Sequence, residues 1–130
     1  VDALQSSVNT VNDLYGKSVG TIDGSTSTTF LNARDLRYAG YVDLESLLND
    51  FEAGNLDAII FDAPILTFYA ANSNGKAQMI GPIFLRENYG IAMPSGSGLA
   101  EPLNQSLLRL RENGTYDRIY RKWFGNSDNR

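Results

Sequence analysis

The sequence predicts an α/β fold with a mainly parallel sheet flanked by helices, and three observations lead to this class. Strand-like apolar runs alternate with segments of helical periodicity along most of the chain. The run at 56–61 is apolar at five of its six positions, which is typical of a strand in a parallel sheet. The segment at 43–53 is amphipathic, because its apolar residues recur at the spacing of one helical face: Leu44, Leu47, Leu48 and Phe51.

The first half of the chain is predicted to hold alternating strands and helices. In order, these are a short helical turn at 12–14, a strand at 18–22, a helix at 25–34, a strand at 36–42, a helix at 43–53 and a strand at 56–61. Gly16 ends the helical turn, and Gly40 weakens the strand that contains it. Asp43 is the expected N-cap of the helix at 43–53, and Gly54 is its C-terminal stop.

The second half begins with one helix and ends with two. In order, we predict a helix from Asp62-Ala63-Pro64 to about residue 72, a strand at 77–80, an extended connector at 81–87, a strand at 89–93, a loop at 94–98 and two final helices that Asn113-Gly114 separates. Each final helix carries an apolar stripe: Leu99, Leu103, Leu107 and Leu110 in the first, and Tyr116, Ile119, Tyr120 and Trp123 in the second. The basic cluster Arg118, Arg121 and Lys122 is interpreted as the solvated face of the last helix.

Composition narrows the function classes. The 130 residues suffice for one modest domain, and the net charge of -4 argues against a general nucleic-acid role, which needs a basic surface. Cysteine and histidine are both absent from the sequence. The chain therefore lacks a disulfide, a thiolate nucleophile, the commonest general base and the commonest metal ligand, and we expect no cofactor or metal. No signal peptide or membrane-spanning run is found in the sequence, so we expect either a cytosolic chain or a mature piece cut from something larger.

The stretch at 19–26 is the most informative part of the sequence, because it reads as a strand that ends in a glycine turn and opens directly into a helix. Gly24 lets a ligand approach the backbone closely, and Ser25 and Thr26 place hydroxyls beside the unpaired N–H groups of the helix start. This arrangement predicts a small anion seat suited to a carboxylate. The alternative is that Ser25 or Thr26 caps the helix, which is the commoner role of such residues.

Asp62 ends an apolar strand, so we expect its carboxylate to be half-desolvated and to need a partner. It either caps the helix that follows or accepts a cation such as the ammonium of an amino acid, and the two roles are compatible. Ligands bind parallel sheets at the carboxyl ends of strands, which places Asp62 and the turn at 23–26 on one rim. An anion seat beside a carboxylate predicts a receptor for a zwitterion. A glycosidase-like pair of Asp23 and Asp62 is the less favoured interpretation, and Tyr69 and Tyr89 are assigned by default to core packing.

Five runs, in this order and covering most of the chain, resemble the periplasmic-binding-protein type II fold of solute-binding protein family 3. They are 13–20 (DLYGKSVG), Gly24-Ser25-Thr26, 56–64 (LDAIIFDAP), 89–94 (YGIAMP) and 113–124 (NGTYDRIYRKWF). The fold includes the amino-acid-binding proteins of ABC importers and the ligand-binding domains of ionotropic glutamate receptors. Within it, the chain most resembles the second ligand-binding segment of prokaryotic glutamate receptor channels, and its opening Leu4-Gln5-Ser6-Ser7-Val8 resembles the stretch that leaves the pore.

The resemblance implies a site for L-glutamate or a close relative. In Gly24-Ser25-Thr26, Ser25 and Thr26 would bind ligand carboxylates through backbone N–H groups and hydroxyls. Asp62 would accept the ligand ammonium, and Tyr89 would sit near that acid at the hinge. Ile65 would line the cavity.

The resemblance also divides the chain. It implies a hinge segment at 1–12, the second lobe of a ligand-binding clamshell at 13–87, a return hinge strand with helices that pack on the first lobe at 88–124, and a tail at 125–130. The first lobe segment, with the arginine that clamps the α-carboxylate, and the pore have no counterpart in this sequence. Arg86, the arginine nearest the hinge, is read as a surface residue. The apolar stripes of the final helices are therefore expected to be either unusually exposed or covered by a partner chain.

Three functions are considered, in order of preference. The first is the amino-acid-binding part of a glutamate-gated ion channel, on the extracytoplasmic (periplasmic) side of the cell membrane, which works as a homo-oligomer and couples lobe closure to pore opening. The alternative is an amino-acid-binding protein of an ABC importer, with the same fold and site. The third, an enzyme on the same fold, is disfavoured because the sequence offers no nucleophile–base pair.

Overall fold

The computed structural model describes residues 8–82 and 88–125, and the chain divides into two compact units, Val1–Gly81 and Pro82–Arg130. The elements of the first unit are a 3-10 helix at Val11–Leu14, β1 at Val19–Ile22, α1 at Thr26–Asn32, β2 at Ala39–Tyr41, α2 at Leu44–Glu52, β3 at Ala58–Ile59 and α3 at Ala63–Asn72. The described part of the second unit contains α4 at Ala100–Glu112 and α5 at Thr115–Phe124. The predicted α/β class is thereby confirmed.

The sheet of the first unit has three parallel strands in the order β2-β1-β3. Thr21 of β1 lies opposite Gly40 of β2, and Gly20 of β1 lies opposite Ile59 of β3. Because the strands run in the same direction, the residues that follow Ile22 and those that follow Ile59 emerge at one edge, which we call the carboxyl edge. The sheet therefore brings two separate parts of the sequence to the same side of the first unit.

The core of the first unit lies on both faces of β1. Its most buried apolar members have at most 8% of their surface exposed: Val8, Leu14, Val19, Phe30, Leu31, Leu36, Leu47, Leu56, Ala58 and Ile60. On the α2 face, a Cβ added to Gly20 would lie 2.5 Å from Leu56 Cδ1 and 2.7 Å from Leu47 Cδ1. A side chain at Gly20 would therefore push α2 away from the sheet, and the glycine permits the close approach.

Side-chain hydrogen bonds hold both ends of α2. The Asp43 carboxylate accepts the Ser46 N–H at 2.7 Å, so the predicted N-cap is confirmed. This bond lowers the pKa of Asp43 below its ordinary value. At the other end, the hydroxyl of Tyr41 and the amide of Asn55 both donate to the Asp50 carboxylate and lower its pKa, with the Tyr41 bond as the larger cause. These bonds tie α2 to β2 and to the loop that follows the helix.

Tyr69 connects α3 to α2. Its hydroxyl donates to Glu52 Oε1 at 2.8 Å, and its ring meets the Phe51 ring edge-on with centroids 6.4 Å apart. Burial, with a smaller contribution from the Glu52 bond and charge, raises the pKa of Tyr69 to about 12. The predicted packing role of this tyrosine is confirmed, because its ring is packed and its hydroxyl has a partner.

The second unit differs from the first in its burial. Its two helices meet at Gly114, whose φ of 74° lies in the left-handed region that favours glycine. Within 82 and 88–125 no residue is buried, and the exposed fractions are 62% for Leu99, 48% for Ile119 and 50% for Trp123. The basic cluster Arg118, Arg121 and Lys122 is exposed as predicted. None of the helices described is both long and apolar enough to cross a membrane.

Two predicted strands are wrong, because neither segment is paired as a strand. At 77–80, the first backbone N–H, that of Ala77, is used locally, since it donates to the Ser73 hydroxyl at 3.0 Å. At 89–93 the alternation of apolar and small residues is present, but the described part of the second unit offers helices and no strand to pair with. A strand needs a partner ladder, and a sequence pattern does not reveal whether one is available.

Other bounds are shorter than predicted. The strand predicted at 36–42 is limited to Ala39–Tyr41, the strand predicted at 56–61 to Ala58–Ile59, and the helix predicted at 25–34 to Thr26–Asn32. The predicted helical turn at 12–14 is a single 3-10 turn at Val11–Leu14. Residues 4–7 of the opening, 83–87 of the connector with Arg86, and 126–130 of the tail lie outside the described residues.

Candidate functional site

The turn between β1 and α1 is held by hydrogen bonds on both sides of Gly24. Before it, the Asp23 N–H donates to the Tyr41 carbonyl at 2.9 Å, which extends the pairing of β1 with β2. After it, the Ser25 N–H donates to the Ile22 carbonyl at 3.3 Å, and the Ser25 hydroxyl donates to the same carbonyl at 2.7 Å. Gly24 has a φ of 73°, in the left-handed region that a tight turn requires. The turn is therefore closed by its own backbone.

The structure decides against side-chain capping by Ser25. Ser25 occupies the N-cap position of α1, but its side chain accepts no capping hydrogen bond. Its carbonyl instead accepts the Thr28 N–H at 3.1 Å and the Thr28 hydroxyl at 2.7 Å. A Cβ added to Gly24 would meet no atom within 4 Å, and Thr26 is exposed. The surface of the turn is thus open beside Gly24.

Asp62 occupies the N-cap position of α3, with Pro64 in the first turn of the helix, as predicted. The Asp62 carbonyl accepts the Leu66 N–H at 3.1 Å, whereas its side chain makes no capping hydrogen bond. The residue is half-buried, in agreement with the expected partial desolvation. The side chain of Asp62 therefore does not cap α3.

The sheet places the turn at 23–26 and Asp62 at the same carboxyl edge. β1 and β3 are adjacent, and the Ile60 N–H continues their pairing with a 3.0 Å bond to the Gly20 carbonyl. Extended three residues past the last pair, Gly20 with Ile59, the same register would bring Asp62 level with Asp23. Ile65 is half-buried and lies in the first turn of α3. The first unit thus carries the turn at 23–26, the carboxylate of Asp62 and the apolar side chain of Ile65.

Tyr89 is the one predicted site residue that lies in the other unit. Its side chain is 75% exposed, so its default assignment to core packing is wrong, and the segment around it is not a strand. Its predicted place beside the acid at the hinge stays a prediction of the resemblance.

Sequence reasoning missed one contact on the sheet, between Asp23 and Gly40. Gly40 was treated only as a weak point of a strand, yet its missing side chain leaves the space that the Asp23 carboxylate occupies. The available signal was the glycine itself, because an isolated glycine within a strand pattern often marks a close approach. What the sequence could not provide was the identity of the approaching group.

Comparison with known proteins shows that the chain is similar to amino-acid-binding proteins. No protein-family model matches the chain. Among solved structures, the chain resembles the GluR0 ligand-binding core from Nostoc punctiforme in complex with L-glutamate, at 40% sequence identity and a TM-score of 0.72, over 94% of this chain and 58% of that one.

Two curated relatives are amino-acid-binding proteins. The chain is 36% identical over 112 residues to the ABC transporter glutamine-binding protein GlnH of Bacillus subtilis (strain 168), which covers 83% of this chain and 40% of the relative. It is 28% identical over 116 residues to the arginine-binding periplasmic protein of Mannheimia haemolytica, over 84% of this chain and 49% of the relative. The chain spans about half the length of the proteins it matches.

The receptor core and the two amino-acid-binding proteins each match more than four fifths of this chain, and the parallel sheet with flanking helices agrees with the likeness. The chain has the periplasmic-binding-protein type II fold of the family 3 solute-binding proteins and resembles the second ligand-binding segment of an ionotropic glutamate receptor.

Proposed function

We propose that the chain forms one side of an amino-acid-binding clamshell in a glutamate-gated channel, with L-glutamate or a close relative as the ligand. The observation that carries the proposal is the presence of the Gly24 turn and Asp62 at one carboxyl edge. Ligands of open parallel sheets bind at this edge. The likeness to a glutamate-bound receptor core over 94% of the chain supports the same ligand class.

Each end of a zwitterion has a partner in this arrangement. Thr26 and the open backbone at Gly24 bind a ligand carboxylate, and Asp62 accepts the ligand ammonium through a charge-assisted hydrogen bond. Ser25, predicted for the same role, donates both its N–H and its hydroxyl to the Ile22 carbonyl, so it binds a carboxylate only after a donor leaves that carbonyl. Ile65 lines the cavity beside Asp62. Tyr89 is assigned to the site by the resemblance to glutamate receptors.

The domain plan belongs to the same proposal. Residues 13–87 act as the second lobe, and the helices at 88–124 pack on a first lobe that another part of the protein supplies. The intact receptor is a homo-oligomer at the extracytoplasmic side of the membrane, and closure of the lobes opens the pore. The periplasmic arginine-binding relative supports an extracytoplasmic location.

The second candidate is an amino-acid-binding protein of an ABC importer, favoured by the 36% identity to the glutamine-binding protein GlnH. The two candidates share the fold and the site and differ in what precedes the second lobe. A pore-forming helical hairpin encoded before this chain would favour the channel, and a continuous first lobe would favour the importer. Turnover of an amino-acid substrate would instead favour an enzyme.

The role of Asp62 is tested by Asp62→Asn in the full-length protein, with amino-acid affinity measured by calorimetry. The change removes the charge and keeps the shape, so we expect glutamate binding to weaken by about tenfold or more. Glu45→Gln is the matched control, because Glu45 is an exposed carboxylate in the first turn of α2. Equal affinities for the Asp62 variant and the control would reject the ammonium role.

The role of Thr26 is tested by Thr26→Ala, with Thr29→Ala on the same helix as the control. Thr29 is also exposed and lies one turn later in α1. We expect Thr26→Ala to weaken the binding of acidic ligands more than that of neutral ligands, because the Thr26 hydroxyl is assigned to a ligand carboxylate. Equal losses for both ligand classes would mean that Thr26 only supports the helix.

A further inference from the structure

The carboxylate of Asp23 lies in the space where Gly40 has no side chain. A Cβ added to Gly40 would overlap both carboxylate oxygens and the Cγ atom of Asp23. These three atoms of Asp23 are the nearest to that position. The backbone of Gly40 is not in the left-handed region, so an alanine would fit its conformation. A side chain at position 40 would therefore displace the Asp23 carboxylate.

The Asp23 side chain is directed back along the sheet. Gly40 is paired with Thr21, which precedes Asp23 by two residues in β1. Since β1 and β2 are parallel, a carboxylate that covers Gly40 points away from the carboxyl edge, although Asp23 itself is located there. The Asp23 N–H bond to the Tyr41 carbonyl holds the backbone of the residue while its side chain takes this direction.

We propose that Gly40 is a specificity-determining positioning residue, which keeps the negative charge of Asp23 away from the ligand so that an acidic amino acid can bind. This proposal rests on the proposed function. A side chain at position 40 removes the space, and the carboxylate then rotates toward the carboxyl edge, beside Gly24. There it stands next to the ligand carboxylate, and two like charges a few ångströms apart repel each other.

Gly40 and Asp23 thus act together. Gly40 does not touch the ligand; it acts through the direction of the Asp23 side chain. Its loss is expected to penalise an acidic ligand more than a neutral ligand of the same shape, such as glutamine. A purely structural role in β2 would weaken both ligands alike.

The test compares glutamate and glutamine affinities of four full-length proteins by calorimetry: the wild type, Gly40→Ala, Gly40→Ala with Asp23→Asn, and Gly98→Ala. The double variant keeps the size of residue 23 and removes its charge. Gly98→Ala is the matched control, because Gly98 is exposed, is not in the left-handed region, and has open space around an added Cβ. A thermal melt of each variant reports whether it is folded.

We expect Gly40→Ala to weaken glutamate binding by about tenfold and glutamine binding by less than about threefold. The double variant is expected to recover the wild-type glutamate affinity, and Gly98→Ala to leave both affinities unchanged. Equal losses of both ligands in Gly40→Ala, or a double variant that does not recover, would overturn the role of Gly40. A wild type that binds no amino acid would reject the proposed function itself. If Gly40→Ala is unfolded, Asp23→Asn alone carries the decision. We expect its glutamate affinity to stay within about threefold of the wild type, and a gain of about tenfold would show that Gly40 does not keep the charge of Asp23 away from the ligand.

Discussion

The two units of this chain are built on different principles. The first surrounds a central strand with helices, and Leu31, Leu47 and Thr21 have no exposed surface. The second consists, in its described part, of two amphipathic helices whose apolar residues remain largely exposed, as with Leu108 at 57%. The segments that form α2, α4 and α5 all have an amphipathic pattern, so the pattern alone does not show which of these helices is covered. The difference shows that an apolar stripe predicts a face to be covered but does not specify what covers it.

The largest expected difference in stability lies between removing a core side chain of the first unit and removing an exposed side chain of the second. Leu31→Ala should lower the free energy of unfolding by about 2–5 kcal/mol, because it leaves a cavity beneath α1. Leu108→Ala, the same substitution in α4, should change it by less than about 0.5 kcal/mol. Chemical denaturation of the full-length proteins, followed by circular dichroism, measures both values.

An equal loss of unfolding free energy in Leu108→Ala would contradict the difference in burial between the two units. It would mean that another part of the protein, or a partner chain, covers the α4 face in solution. Leu107, 42% exposed, is the next residue to test in that case.

A smaller effect is expected inside the core of the first unit. The Thr21 hydroxyl is buried and has no hydrogen-bond partner among the residues that the structure describes. Thr21→Val replaces it with a methyl group of similar size, so we expect the free energy of unfolding to rise by roughly 1–3 kcal/mol. Calorimetric melting is the measurement.

Thr28→Val is the control for that experiment. Thr28 is also buried, but its hydroxyl donates to the Ser25 carbonyl at 2.7 Å. We expect this variant to lose about 1 kcal/mol, since a made hydrogen bond is removed. Stabilisation by both substitutions would show that any apolar replacement helps and that Thr21 is not special.

The smallest expected effect is the loss of stability at low pH that comes from the side-chain cap of a helix. In the first unit the Asp43 carboxylate caps α2, whereas α4 and α5 have no side-chain cap in the structure. The bond from the Ser46 N–H lowers the pKa of folded Asp43 below its ordinary value of 3.8. The ionised carboxylate therefore stabilises the fold above that value, and its contribution is lost as the pH falls through the lower pKa of the folded state.

We expect Asp43→Asn to reduce the acid sensitivity of the first unit, because an asparagine also caps a helix and does not titrate. The melting temperature of the variant and the wild type is compared from about pH 7 down to about pH 2.5. Glu45→Gln, on the same helix, serves as the control. Parallel pH profiles of wild type and Asp43→Asn would show that the cap is not a source of acid sensitivity.

Much of the site was predictable because its signals are local. The glycine at position 24, the hydroxyl residues after it, and Asp62 before Ala63-Pro64 are read directly from neighbouring residues. The parallel arrangement of β1 and β3 then follows from the alternation of strands and helices. The directions of the side chains were not predictable. The Ser25 hydroxyl, for example, could cap α1 or donate to the Ile22 carbonyl, and only the three-dimensional geometry shows that it does the second.

The sequence by itself determined the α/β class, the helices α2 and α3 with their starts at Asp43 and Asp62, and the glycine turn after β1. These features depend on contacts within a few residues, which a sequence pattern encodes. Only the tertiary structure decided how far each strand extends, which apolar faces are covered, and that the Asp23 carboxylate rests on Gly40. Those outcomes depend on which distant segments become neighbours, and pairing across space leaves no periodic signal in the chain.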